Sequence, residues 1–370
     1  MQRVNLSPLK LASASGLRRE APRPPHLRQP GYDEDFDWLT IFYDCIRAAD
    51  PRWIVLMGPP LGKLDEVVLS ALKAAIPVPG VAFLVRDLDR HSQIWISRSD
   101  STLRMGQDPF EPSSIEIQPN CCDLFRDKRV LFTKSRDNDL QWIRDWAYFH
   151  VRAHGTNAAL LYDNGSRRYA SDEVREVLAR IPGMDVAVVV DWPFKFGPQG
   201  VESHWDSDFC EYGIMEHARH RFLALAEGVI NADIDELVFT KDNSSVYERM
   251  RASPAGFVLY PGVWIDSVRP ESAGFGRRHA DFLYRCEGIP EAAPKWTVAP
   301  RRCPPATQWR THHISGMNAD RESSQGISYW HFKGINTNWK ELRLREIAPG
   351  PTQAPDPELV RAMKLFDGEG

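Results

Sequence analysis

The chain has 370 residues, 42% of them hydrophobic and 26% charged, with a formal net charge of −4. That is enough sequence for one large or two smaller cores, and the slightly acidic balance argues against nucleic acid as the main partner. Six scattered cysteines (45, 121, 122, 210, 286 and 303) form no C-x-x-C pair, so they read as reduced thiols and not as a metal knuckle or disulfide framework.

Residues 1–30, with "LRREAPRPPHLRQP", are basic and proline-rich. They lack the apolar core of a signal peptide and predict a flexible tail, with docking on an anionic membrane surface as a second reading. No apolar run approaches the ~20 residues of a membrane span, which predicts a cytoplasmic or membrane-peripheral protein. A small α/β region is expected over 31–127. "DFDWLTIFYDCIRAAD" (35–50) has helical spacing, "RWIVLMG" reads as a buried strand, "LDEVVLSALKAAI" as a helix, and "VAFLVRDLDRHSQIWISRS" as two strands around a turn at 87–91. "GPPLGKL" (58–64) is not a phosphate loop. Its glycines are one residue too close, and Leu64 stands where Ser or Thr would meet magnesium.

From 128 to 348 strands and helices alternate. Arg129–Thr133 is a strand, and the Leu140, Ile143, Trp146, Phe149 stripe is a helix stopped by Gly155. "NAALLYD" is a strand, a helix capped by Ser171 follows, "VAVVVDW" is a strand, "SDFCEYGIMEHARHRF" a helix and "GVIN" a strand. Such alternation predicts a mainly parallel sheet with helices on both faces, with ligands bound beyond the carboxyl ends of the strands. A C-terminal tail with a short helix is expected over 349–370.

At one strand end lies "GVINADIDELVF" (228–239). A carboxylate buried without a partner costs several kcal/mol or neutralises itself, so Asp233, Asp235 and Glu236 must be solvated or held by something positive. Asp233 and Asp235, two apart on extended backbone, point the same way and can share one hard cation such as Mg²⁺ or Mn²⁺.

The order of motifs resembles nucleotide-sugar-dependent glycosyltransferases of the GT-A fold, and more narrowly the family 92 and related bacterial family 2-like group. The residues are Arg136-Asp137, Asp145-Trp146, Phe149-His150, Gly155, "YDNGS" (162–166), Trp192, Cys210, "ADIDELVF", "KWTVAPRRCPPATQWRTHHISG" and "YWHFKGINTNWKE", spanning about 129–345. Asp137 stands where the family often has Glu, Leu237 where it has Phe, and Asn231 where an apolar residue is usual. The resemblance implies an Mn²⁺- or Mg²⁺-dependent, inverting transfer of a sugar from a nucleotide diphosphate, UDP by expectation, to a hydroxyl of a glycan or lipid-linked acceptor. It implies Asp233 and Asp235 as metal ligands, completed by a late histidine. His312, His313 and His331 are candidates, with His313 and His331 favoured equally. Arg136, Asp163, Asn164, Lys333 and Asp233 would serve the nucleotide. The general base stays open among Asp206, Asp208, Glu211 and His204, with Asp266 and Asp281 as further options and Glu236 as an additional catalytic carboxylate. Two other classes compete. One is an inactive sugar-nucleotide-binding or scaffolding protein on the same fold. The other is a nucleotidyltransferase, which needs a glycine-rich phosphate loop that "TKSRDNDLQW" does not provide.

Overall fold

A computed structural model describes residues 4–97, 102–105, 109–111, 113–200, 206–268, 277–337 and 354–366. The chain divides into two compact units, residues 1–124 with 192–224 and residues 125–191 with 225–370. Among the described residues no helix is long and apolar enough to cross a membrane.

The first unit carries β1 (Leu9–Lys10), the helical turn α1 (Tyr32–Asp35), β2 (Thr40–Phe42), β3 (Asp44–Arg47), β4 (Trp53–Gly58), α2 (Asp65–Ala75), β5 (Phe83–Leu88), β6 (His91–Ser97), β7 (Thr102–Met105) and β8 (Ser113–Glu116). Strands β3, β4, β6 and β5 form an antiparallel sheet in that order. The helix expected over 35–50 is absent: its place is taken by α1 and the strands β2 and β3. Every residue of β2 is buried, so the apolar run serves two faces of a strand, a pattern that periodicity does not separate from a buried helix.

Residues 4–30 are not a free tail. Leu9 and Leu11 are fully buried, and β1 pairs with β2. Arg19 and Arg23 are buried as well, because their guanidinium groups lie over aromatic rings: Arg19 over Phe36 and Phe209 at 5.4 and 5.0 Å, Arg23 over Tyr32 at 5.1 Å.

The second unit carries β9 (Arg129–Ser135), α3 (Leu140–His154), β10 (Ala158–Asp163), α4 (Ser171–Ala179) and β11 (Val186–Asp191). The α5 helix (Phe209–Ala218) belongs to the first unit and is buried along its whole length. The second unit resumes with β12 (Gly228–Asn231), β13 (Glu236–Thr240), α6 (Val246–Ala252), β14 (Phe257–Ile265), β15 (Ala292–Val298), the short hairpin β16 (Gln308–Trp309) and β17 (Ile314–Ser315), the helical turn α7 (Arg321–Ser324), β18 (Ile327–Phe332) and α8 (Pro357–Met363). Gly155 ends α3 with φ 67°, in the left-handed region. Ser171 is the first residue of α4 and not its cap; the Glu173 carboxylate accepts the Ala170 N–H instead, at 2.9 Å.

An eight-stranded sheet runs β11-β10-β9-β12-β15-β14-β18-β13. Its first four strands are parallel throughout, as the alternation predicts. The other half is mixed: β12–β15, β15–β14 and β18–β13 are antiparallel and only β14–β18 is parallel. The protein is therefore α/β with a mixed sheet, where a mainly parallel one was expected. In this half only β14 and β15 pair as consecutive strands; β12 meets β15 and β13 meets β18 across long stretches of chain.

Candidate functional site

The acidic segment leaves the carboxyl end of β12, beside the ends of β9 and β10. Residues 234–235 form a turn, closed by the Glu236 N–H donating to the Asp233 carbonyl at 3.0 Å. The Glu236 carboxylate caps the turn from inside, accepting the Asp233 N–H at 2.8 Å. The backbone is thus not the extended ribbon from which a shared direction for Asp233 and Asp235 was expected.

Asp233 is held by lysines. Its Oδ1 lies 3.1 Å from Lys134 Nζ and its Oδ2 2.7 Å from Lys295 Nζ. Lys295 also reaches Glu236 at 3.0 Å, and both of those side chains are almost completely buried. Burial alone would lower the Lys295 pKa, but Asp233 and Glu236 outweigh it and the net shift is upward, so the ammonium stays charged. Burial pushes the Glu236 carboxyl up, with Lys295 opposing and Asp233 adding to the rise. The acids inside the apolar run therefore have positive partners supplied by β9 and β15.

Asp235 turns elsewhere. Its Oδ2 lies 3.1 Å from His331 Nε2 on β18, and the Trp264 ring stacks on the His331 imidazole at 4.0 Å and 16°. Ligand atoms of Asp235, Glu236 and His331 lie within 4.8 Å of one another. This is the metal-competent group among the described residues, and Asp233 lies outside it. Two carboxylates and an imidazole suit Mn²⁺ or Mg²⁺ better than a soft ion, and His331 Nδ1 is a buried nitrogen with no hydrogen-bond partner among the described residues. On donor chemistry the three residues fit a divalent ion. Of the two favoured histidines, His331 joins the acids, whereas His313 is exposed beyond β16, its Nε2 3.5 Å from Ser315 Oγ. His312 contacts the Pro294 carbonyl at 3.0 Å.

Asp163, at the end of β10, is nearly buried. It accepts from Ser166 N and Oγ at 3.0 and 2.6 Å and from Ser171 Oγ at 3.2 Å. Asn164 donates its N–H to the Ser135 carbonyl at 2.9 Å, and half-buried Arg136 follows β9. Asp137, with φ 54°, accepts from the N–H groups of Arg167 and Arg168 at 2.6 and 3.1 Å. Two strand-end loops are thus tied together by turn chemistry. Asn231 donates to the Thr311 carbonyl at 2.8 Å, which accounts for a polar residue at a buried position. Lys333 lies on the loop after β18, beside Cys286, whose thiol burial pushes up while Lys333 pulls it down.

Asp206 and Asp208 lie in the first unit. Arg23 binds Asp206 through two nitrogens, at 2.8 and 3.0 Å, and Arg90 lies 2.6 Å from Asp208. Asp208 makes no side-chain cap to α5; burial raises its carboxyl pKa, Glu211 adds to the rise and Arg90 opposes it. Asp266 accepts the Ser267 N–H at 3.0 Å, and Asp281 the Arg278 N–H at 2.8 Å. His204 lies outside the described residues. The residues that sequence reasoning left without a role are Lys134, Lys295, Trp264 and His279. Only Lys295 carried a signal, standing at the head of the "KWTVAP" segment.

No protein-family model matches the chain, and no curated protein matches it.

Proposed function

We propose that the second unit is a GT-A-type, metal-dependent glycosyltransferase. It would move a sugar from a nucleotide diphosphate, UDP in the first instance, to a hydroxyl of a glycan or lipid-linked acceptor. The observation that carries this reading is the convergence of Asp235, Glu236 and His331 within 4.8 Å where the chain leaves the carboxyl end of parallel β12 and enters the β13–β18 pair; carboxyl ends of strands are where open α/β sheets bind their ligands. Asp235, Glu236 and His331 would hold the ion. A divalent ion there supplies positive charge for a diphosphate leaving group. Lys134 orients Asp233, Lys333 offers a point charge to phosphate, and Arg136, Asp163 and Asn164 line the strand ends for base and ribose. The acceptor proton needs a carboxylate. Asp206 and Asp208 lie in the first unit, held by Arg23 and Arg90; within the second unit Asp266, two residues beyond the Trp264 that stacks on His331, is the proposed base.

One observation favours a second reading, an inactive nucleotide-sugar-binding protein: Lys295 already neutralises Asp233 and Glu236 without any ion. A screen of the full chain against nucleotide sugars, with Mn²⁺ and with chelator, separates the two. Metal-dependent release of nucleotide, falling at least about a hundredfold in Asp235→Asn with folding intact, is the expected result. Binding without release selects the second reading, and equal behaviour with Mn²⁺ and chelator removes the metal.

A further inference from the structure

Three histidines outside the metal-competent group touch the backbone of the acidic segment. β13 is the edge strand of its sheet, paired on one side with β18. Alternate residues of an edge strand turn their N–H and C=O away from the partner, and Val238 is one of these. His150 Nδ1 lies 2.8 Å from the Trp146 carbonyl, which only accepts, so Nδ1 carries the proton. Its Nε2 is then free to accept the Val238 N–H, at 3.3 Å. One turn on, His154 holds the opposite tautomer: Nε2 donates to the Val238 carbonyl at 2.7 Å, and Nδ1 accepts the Val246 N–H at 3.2 Å. His279 Nε2 donates to the Ile234 carbonyl, between Asp233 and Asp235, at 2.9 Å. Its Nδ1 faces Asp145 at 4.0 Å. That carboxylate is fixed by Arg278 through Nε at 2.9 Å and a second nitrogen at 2.5 Å, and by Gln141 at 2.7 Å. All three histidines are at most 2% exposed.

We propose that His150, His154 and His279 are positioning residues. On the side of β13 where no strand pairs among the described residues, they fix the backbone at Ile234 and Val238, and with it the directions in which Asp235 and Glu236 meet His331. The anchoring stands on the hydrogen bonds alone; only its consequence for an ion rests on the proposed function.

The test uses the full chain at neutral pH. Long-range proton–nitrogen correlation spectra should show His150 protonated on Nδ1, and His154 and His279 on Nε2. Hydrogen exchange across 233–238 should quicken about tenfold in His279→Leu, as expected for one lost hydrogen bond, and return towards wild type in His279→Gln, whose amide still donates. Mn²⁺ affinity by calorimetry should fall about tenfold or more in His279→Leu and be largely restored in His279→Gln, the scale on which supporting residues act at metal sites. Unchanged exchange in His279→Leu, or the reverse tautomer at His150, overturns the positioning role. Wild-type protein that ignores Mn²⁺ overturns the metal reading instead and leaves the exchange result to decide the positioning. Should His279→Leu not fold, His279→Asn, which donates from a shorter arm, set against His279→Gln carries the same comparison: equal exchange in the two overturns the role.

Discussion

Asp233 and Glu236 share one ammonium, and that sharing fixes what Lys295 is worth. Removing one partner of a buried ion pair costs about 3–5 kcal/mol, because the remaining charge is left without compensation. Asp233 is partly exposed and keeps Lys134, so the loss falls chiefly on Glu236. Lys295→Met should therefore lower unfolding stability by about 3 kcal/mol, the lower end of that range. Adding Glu236→Gln should recover part of it, since the amide carries no charge to strand. Chemical denaturation of the single and double variants measures both; a double variant no more stable than Lys295→Met would show that the lysine acts by packing. At this scale the sequence announced that the acids needed positive partners, but not which. Lys134 and Lys295 are 99 and 62 residues from Asp233, and only the pairing of β9, β12 and β15 brings them in.

Strand ends set a second group of constraints. Gly58, the last residue of β4, would carry its Cβ 2.0 Å from the Ile41 carbonyl oxygen and 2.9 Å from the carbonyl carbon. Backbone atoms do not rotate aside as a side chain does. Gly58→Ala should cost about 3 kcal/mol, the upper end of overpacking penalties, read as a lowered melting temperature; an unchanged one would mean that β2 shifts freely. "GPPLGKL" thus owes its first glycine to a close chain crossing and not to a phosphate. The βαβ half was legible in the sequence because each of its elements is signalled locally: apolar strands, an amphipathic helix, Gly155 at a left-handed stop. Strands β2 and β3 were not, since a run buried on both faces has no strand period to read.

Two expectations belong to the whole molecule. Deleting residues 1–30 removes Leu9 and Leu11 from the core and Arg23 from Asp206. Truncating a single buried leucine already costs about 2–5 kcal/mol, so the shortened chain should lose the protease resistance of the first unit. An unchanged melting temperature would restore the dispensable tail. Acid should also destabilise the protein well above the range of carboxylate titration. Burial lowers His91 and His154 to about 4 and His150 to about 3, from 6.5. Between those values and 6.5 the unfolded chain binds more protons than the folded one, so stability falls as pH drops from 6.5 towards 4. Each histidine contributes at most about 1.4 kcal/mol per pH unit. Denaturation midpoints across that window test it; a flat profile would require these histidines to be protonated in the fold.

The sequence by itself determined the α/β class, the alternation of strand and helix along the parallel half and the place of the acidic segment after a strand, because those follow from periodicity, capping and composition within a few residues of one another. Tertiary structure decided that the sheet is mixed, that the basic N-terminal residues are packed, that His331 and not His313 meets Asp235, and that two lysines neutralise Asp233 and Glu236. Each of these depends on which distant strands lie side by side, and the pairing of strands is a property of the closed sheet and not of any local segment.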